Sequence, residues 1–122
     1  LFQGGKGEGG GKKKKKKKNN LRFLGANLSN SDDIDGLPPF TAGTAFVLEA
    51  VLIYLDPVAG TRLLSRLAAT PNATLIFADR LPGLRGVDEG DVRRVLADAG
   101  WTLATYLPKP GLARHMGVAT TL

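Results

Sequence analysis

Glu49 is the residue best placed to do chemistry in this sequence, because it is the one carboxylate set into the middle of the apolar run Ala45-Phe-Val-Leu-Glu-Ala-Val-Leu-Ile-Tyr-Leu that leads to Asp56-Pro57. An ionised side chain among apolar neighbours is costly to bury without a partner, so it belongs where the run meets solvent or a polar ligand. The run therefore reads as a buried strand, Ala45 to Glu49, whose carboxyl end presents the charge. In open α/β sheets ligands bind along that edge. A carboxylate fixed there can orient a cationic ligand. The plainer reading is a strand-end carboxylate paired with an arginine such as Arg22 or Arg80.

Other chemistries are poorly supplied. There are no cysteines, so disulfides, thiolate metal sites and a Cys/His set are excluded, and no Ser/His/Asp set is visible around His115, the only histidine. His115 falls in or at the start of a strand and reads as structural. Tyr54, five residues after Glu49, offers a hydroxyl but is also a natural core residue. Asn27 offers an amide, although asparagine at a strand end is equally a turn former.

The elements that must position these groups follow from pattern. With 122 residues the chain makes at most one small domain, and 43% apolar residues fit a globular one. Residues 1–20 hold eight of the 17 basic residues and one of the 11 acidic ones, leaving nine against ten in residues 21–122. The net charge of +6 therefore belongs to a Gly/Lys-rich tail, expected to be disordered, ahead of a nearly neutral domain. Leu1-Phe-Gln-Gly4 resembles a viral-protease recognition remnant or is a native sequence that matches one by chance, and Gly5 to Gly10 fits a dinucleotide glycine pattern without the strand and helix that give it meaning. No apolar stretch reaches the roughly 18 residues of a membrane span, and the first residues lack the order of a signal peptide. A soluble, cytoplasmic monomer is expected.

Order begins at Leu21 to Ala26, read as a short strand, followed by a polar Ser/Asn/Asp stretch to Asp35. After the central run, Asp56 caps and Pro57 opens a helix with Val58, Leu63, Leu64, Leu67 and Ala68 on its apolar face, ended by Pro71-Asn72. Ala73 to Ala78 reads as a strand, Leu81 to Leu84 as a turn, and Glu89 to Ala99 as a helix with Gly100 as its C-terminal cap. Trp101 to Leu107 and Arg114 to Thr121 read as two strands joined by a turn at Pro108 to Gly111, with Trp101 anchoring the core. The fold class is α/β: a partial Rossmann-like sheet of parallel strands and helices, finished by a C-terminal antiparallel hairpin.

This order resembles the C-terminal half of the leucine carboxyl methyltransferase family, S-adenosylmethionine-dependent enzymes of the Rossmann-like class. Gly25-Ala-Asn-Leu28 is similar to the family's G-A-D-L, and Leu48 to Pro57 to its A-E-x-V-L-x-Y-L-x-P. Leu81-Pro-Gly-Leu84 with Leu96-Ala-Asp-Ala-Gly-Trp101 resembles its L-x-G-L and L-x-x-x-G-W, and Arg114 to Thr120 its closing strand. The resemblance implies S-adenosylmethionine as cofactor, with Asn27 and Leu28 at its adenine and Glu49 near its methionine portion. It implies Tyr54 beside the reacting carboxylate. The implied reaction methylates the C-terminal leucine carboxylate of the protein phosphatase 2A catalytic subunit, which would then be the partner. A carboxylate is already nucleophilic, so no general base is needed; the catalyst holds it in line and excludes water.

Departures from the family are specific. Its cofactor glycine motif and the basic residues that hold the cofactor and substrate carboxylates precede everything matched here, where this chain has glycines and lysines. Asn27 replaces an aspartate, keeping an acceptor oxygen and losing the charge. Longer helical segments that shape the substrate pocket are missing after Arg80 and after Leu107. The expectation is a fragment or an abridged gene product with half a cofactor site. Other classes stay open: the related carboxyl methyltransferase of wybutosine synthesis acting on tRNA, an inactive domain kept for contacts, and a nucleic-acid-binding module using Lys12 to Lys18.

Overall fold

The computed structural model describes residues 20–86, 88–107 and 114–122. The tail expected over residues 1–20, apart from residue 20, and the turn at Pro108 to Gly111 lie outside the described residues.

Four strands form one mixed sheet in the order β1-β2-β4-β3, with β1 Ala45–Glu49, β2 Thr74–Asp79, β3 Thr102–Tyr106 and β4 His115–Thr120. β1 and β2 run parallel, and the final hairpin is antiparallel as expected. β4 inserts between β2 and β3, pairing antiparallel with both. The two parallel strands therefore finish at Glu49 and Asp79 on one edge. β4 starts at that edge, and β3 ends there.

Three helices build the core against one face of this sheet. α2, Pro57–Ala68, starts where Asp56 accepts the N–H of Ala59 at 2.9 Å, with proline in the first turn where no donor is lost. It buries Ala59, Gly60, Leu63, Leu64 and Leu67. Val58, expected on the apolar face, is instead 72% exposed, because the buried stripe is rotated onto its neighbours Ala59 and Gly60, and Gly60 lets Pro82 approach closely. α3, Glu89–Asp98, is capped by Asp88, buries Val92 and Leu96, and is followed by Gly100 at φ +98°, a left-handed position that glycine fills without strain. Trp101 is 1% exposed and its indole N–H donates to the Leu64 carbonyl at 2.9 Å, tying the start of β3 to α2. This is the core role expected of it.

Two expectations fail. Residues 21–26 are not a strand: only Phe23 makes an isolated bridge, and Leu21 and Phe23 are 53% and 76% exposed. An apolar-looking segment becomes a strand only when an edge takes it in register, and among the described residues β1 pairs with β2 alone. The polar stretch after it forms a helix instead, α1 Ser31–Asp35, because Asn30 accepts from the N–H groups of Asp32 and Asp33 and Ile34 is wholly buried. Arg66 of α2 then donates to the Leu37 carbonyl at 2.5 Å, fixing the exit of α1 on α2.

β1 also departs from the fully buried strand expected. Phe46 and Leu48 enter the core, while Ala45, Val47 and Glu49 alternate to the opposite face, Val47 at 68% exposure. Ile76 of β2, 43% exposed, lies on that face too. Among the described residues no helix covers it.

Candidate functional site

The sheet brings four ionisable side chains to one edge: Glu49 closing β1, Asp79 closing β2, Tyr106 closing β3 and His115 opening β4. Parallel pairing sets Glu49 opposite Ala78, and antiparallel pairing sets Asp79 opposite His115 and Tyr106 opposite Gly117. Glu49 thus occupies the carboxyl end of its strand, as its place in the apolar run requires. Its side chain is exposed and makes no hydrogen bond or ion pair with a described residue. That leaves the carboxylate available to a ligand.

Past Glu49 the backbone turns abruptly. Ala50 has φ +53°, the left-handed region that side chains other than glycine rarely occupy, and its N–H donates to the Ala78 carbonyl at 3.1 Å. The turn feeds a short 3₁₀ helix, η1, Leu52–Tyr54. Its leading N–H groups all converge on Asp79: Val51 and Leu52 donate to Oδ2 at 2.7 Å each, and Ile53 to Oδ1 at 3.0 Å. Arg80 N–H adds a fourth at 2.9 Å. Asp79 is fully buried, so this charge is met entirely by backbone donors. The sequence reading ended this strand at Ala78 and gave Asp79 no role. A carboxylate at the end of a strand otherwise read as buried, beside a neighbouring strand's turn, was the available signal.

Tyr54 ends η1 with its side chain 80% exposed, so it is not part of the core, and its ring stands in solvent on the segment that follows Glu49. Asn27 is exposed. Its Oδ1 accepts the N–H of Ser29 at 3.0 Å, while its own N–H donates to Asp33 Oδ2 at 2.7 Å. This is the side-chain turn that asparagine favours, although a carbonyl oxygen keeps a second lone pair. Leu28 is half-buried against the core.

An apolar cleft of about 350 Å³ joins these two segments. Ala26 and Leu28, the neighbours of Asn27, line it together with Leu48 and Val51, the near neighbours of Glu49. Asn27 and Glu49 do not themselves line the cleft, but their chain segments form its walls. Phe40 and Phe46, packed edge to face at 5.0 Å, line it as well.

The remaining two groups are structural. His115 is fully buried; its Nδ1 accepts the Leu81 N–H at 3.2 Å and its Nε2 lies 2.6 Å from the Gly86 carbonyl, which requires the proton on Nε2. Both bonds hold the turn after β2, matching the structural role read from sequence. Tyr106 stacks obliquely beside His115, with ring centroids 6.4 Å apart. Burial, with Glu89 and Asp88 adding to it, raises its phenol above the ordinary value of 10.0.

Among the described residues no cluster of histidine and carboxylate side chains could hold a metal ion, and no helix is long and apolar enough to cross a membrane.

No protein-family model and no curated protein sequence matches the chain. Solved structures do match in fold. Magnesium protoporphyrin IX methyltransferase from Synechocystis PCC 6803 with bound SAM is similar at a TM-score of 0.52 and 20% identity, over 74% of this chain and 43% of that one. The same enzyme with bound SAH gives 0.51 and 19%, over 74% and 49%. The pyocyanin biosynthetic protein PhzM gives 0.54 and 17%, over 80% and 34%. The chain therefore has a partial Rossmann-like fold of the kind found in methyltransferase domains, and spans less than half the length of each of these proteins.

Proposed function

We propose that this chain supplies the carboxyl-edge half of an S-adenosylmethionine-dependent methyl-transfer site. The observation that carries the reading is Glu49, an exposed and unengaged carboxylate at the carboxyl end of β1, next in the chain to Leu48 of an apolar cleft that Ala26 and Leu28, the neighbours of Asn27, also line. The fold likeness to a methyltransferase solved with both SAM and SAH supports it.

The residues present fit one half of such a cofactor. Glu49 orients a cationic or hydroxyl-bearing portion, because a carboxylate with no internal partner keeps its acceptor capacity for a ligand. Leu28 offers apolar surface to a flat base, and the Asn27 amide offers a donor and a spare lone pair to its polar edge. The backbone N–H groups of residues 51–53 are taken by Asp79, so recognition along the Glu49 loop falls to side chains. S-adenosylmethionine, when bound, supplies a sulfonium-activated methyl group.

The substrate we propose is the C-terminal leucine carboxylate of the protein phosphatase 2A catalytic subunit, a reading that rests on the resemblance of Leu48 to Pro57 to the leucine carboxyl methyltransferases. Tyr54, exposed on the same loop, is then the residue that orients the acceptor carboxylate. An ionised carboxylate acceptor needs no base, and the lone histidine, His115, is committed to holding the turn after β2. The test is incorporation of labelled methyl from S-adenosylmethionine into a phosphatase C-terminal peptide by the full chain. Incorporation that Glu49→Gln and Tyr54→Phe both lower supports the reading. Methylation of other carboxylates but not of this peptide removes the leucine substrate.

A further inference from the structure

Asp79 is the one buried carboxylate among the described residues, and its partners are all backbone N–H groups, that of Arg80 and three of another segment. We infer that Asp79 is a positioning residue for Glu49: it sets the turn at Ala50 and so fixes where the carboxylate stands. The inference deepens the methyl-transfer reading and rests on it for the ligand.

The geometry leaves little freedom. The β1–β2 ladder ends with Glu49 opposite Ala78, and Asp79 is the next residue of β2. Ala50 bends the chain through a left-handed conformation that an alanine adopts only when its surroundings insist on it. What insists is the carboxylate of Asp79, because the three N–H groups that follow Ala50 all point at its two oxygens. These are the leading donors of η1, which have no partner inside the helix. Without Asp79 the buried N–H of Leu52 and the part-buried ones of Val51 and Ile53 would lose their acceptor, and relaxing the turn to a common conformation would be the easiest escape. Glu49 lies immediately before that turn, so its carboxylate would lose its fixed position.

A role confined to overall stability predicts something different. It would lower protection throughout the fold and weaken a ligand independently of Glu49. The experiment uses the isotopically labelled full chain and S-adenosylhomocysteine, with amide exchange and chemical shifts as readouts. Asp79→Asn should speed exchange at Val51, Leu52 and Ile53 by about tenfold or more relative to Leu64 of α2 and Leu75 of β2. It should weaken S-adenosylhomocysteine about as much as Glu49→Gln does, and add nothing further in the Glu49→Gln background.

Unchanged exchange at residues 51–53, or losses that add in the double variant, overturn the inference. Should Asp79→Asn fail to fold, Ala50→Val tests the same turn with the buried carboxylate in place, because a β-branched residue resists the left-handed region. Loss of the ligand response with α2 and β2 still protected supports the inference, and wild-type affinity overturns it. If the unaltered chain gives no response to S-adenosylhomocysteine, the cofactor reading fails, and the exchange arm alone decides whether Asp79 fixes the loop.

Discussion

Ala50 donates its backbone N–H to the carbonyl of Ala78 at 3.1 Å while holding φ at +53°, so the parallel ladder gains one rung past Glu49 and then breaks. The candidate site hangs on this turn. A left-handed alanine costs about 1–2 kcal/mol, and glycine removes that cost at an entropic penalty of about 0.5–1 kcal/mol. Ala50→Gly is therefore expected to be neutral or to stabilise by up to about 1 kcal/mol in chemical denaturation. A clear loss of stability would show that the turn is not held in this conformation in solution.

Gly117 sits in β4 between Phe77 and Tyr106, beside the irregularity in the β3 register at Leu103 and Thr105. A Cβ there would collide with the Thr105 carbonyl oxygen and come within 3.0 Å of the Phe77 ring. Backbone cannot yield as a flexible side chain can, so Gly117→Ala should destabilise by about 3 kcal/mol or more. Gly25→Ala, where nothing stands within 4 Å, should change stability by about 0.5 kcal/mol or less. Thermal unfolding of the pair checks the β4 placement.

Trp101 packs edge to face on Phe46 at 6.4 Å and hydrogen-bonds α2 through Leu64. Trp101→Ala should cost about 3–5 kcal/mol. As the only tryptophan in the chain, it also reports folding by its own fluorescence, which should be that of a buried indole.

Much of the fold was legible because local and global signals agree. Asp56-Pro57 starts α2 by a capping oxygen and a residue that needs no donor, and Gly100 ends α3 at a positive φ, both readable from residue type alone. The strands β2, β3 and β4 fall where apolar or alternating runs were read, and they put Leu75, Phe77, Leu103 and Ala119 into the core. What stayed hidden depends on partners far along the chain. Residues 21–26 look like a strand but have no regular edge to join, and Ser31–Asp35 looks like loop until Ile34 is seen to be buried. Glu49 was found as the odd charge in an apolar run. Asp79 was passed over because its importance lies in three N–H groups more than 25 residues earlier. Asn27 proved half-engaged by its own turn, the plainer role that its residue type had offered.

Tyr106 carries a pH signature. Its phenol is raised above 10.0, first by burial and then by Glu89 and Asp88, so the folded state holds the proton longer than the unfolded chain does. The sign follows: this contribution is fully present below pH 10 and is lost as pH rises through the folded value. Ultraviolet titration of phenolate should show one of the two tyrosines ionising late, and Tyr106→Phe should remove that step and flatten the alkaline fall in stability. An early or ordinary titration in the wild-type chain, with the late step absent, would contradict the packing of Tyr106 beside α3.

The most direct test of the account is titration of the labelled full chain with S-adenosylhomocysteine, followed by amide chemical shifts. The account predicts weak, saturable binding, with a dissociation constant of about 1 mM or so, and shifts confined to Asn27, Leu28 and residues 48–54, all lost in Glu49→Gln. No response at these residues, or a response centred instead on Asp35 of α1 with Arg62 and Arg66 of α2, would contradict a cofactor site at the carboxyl end of β1.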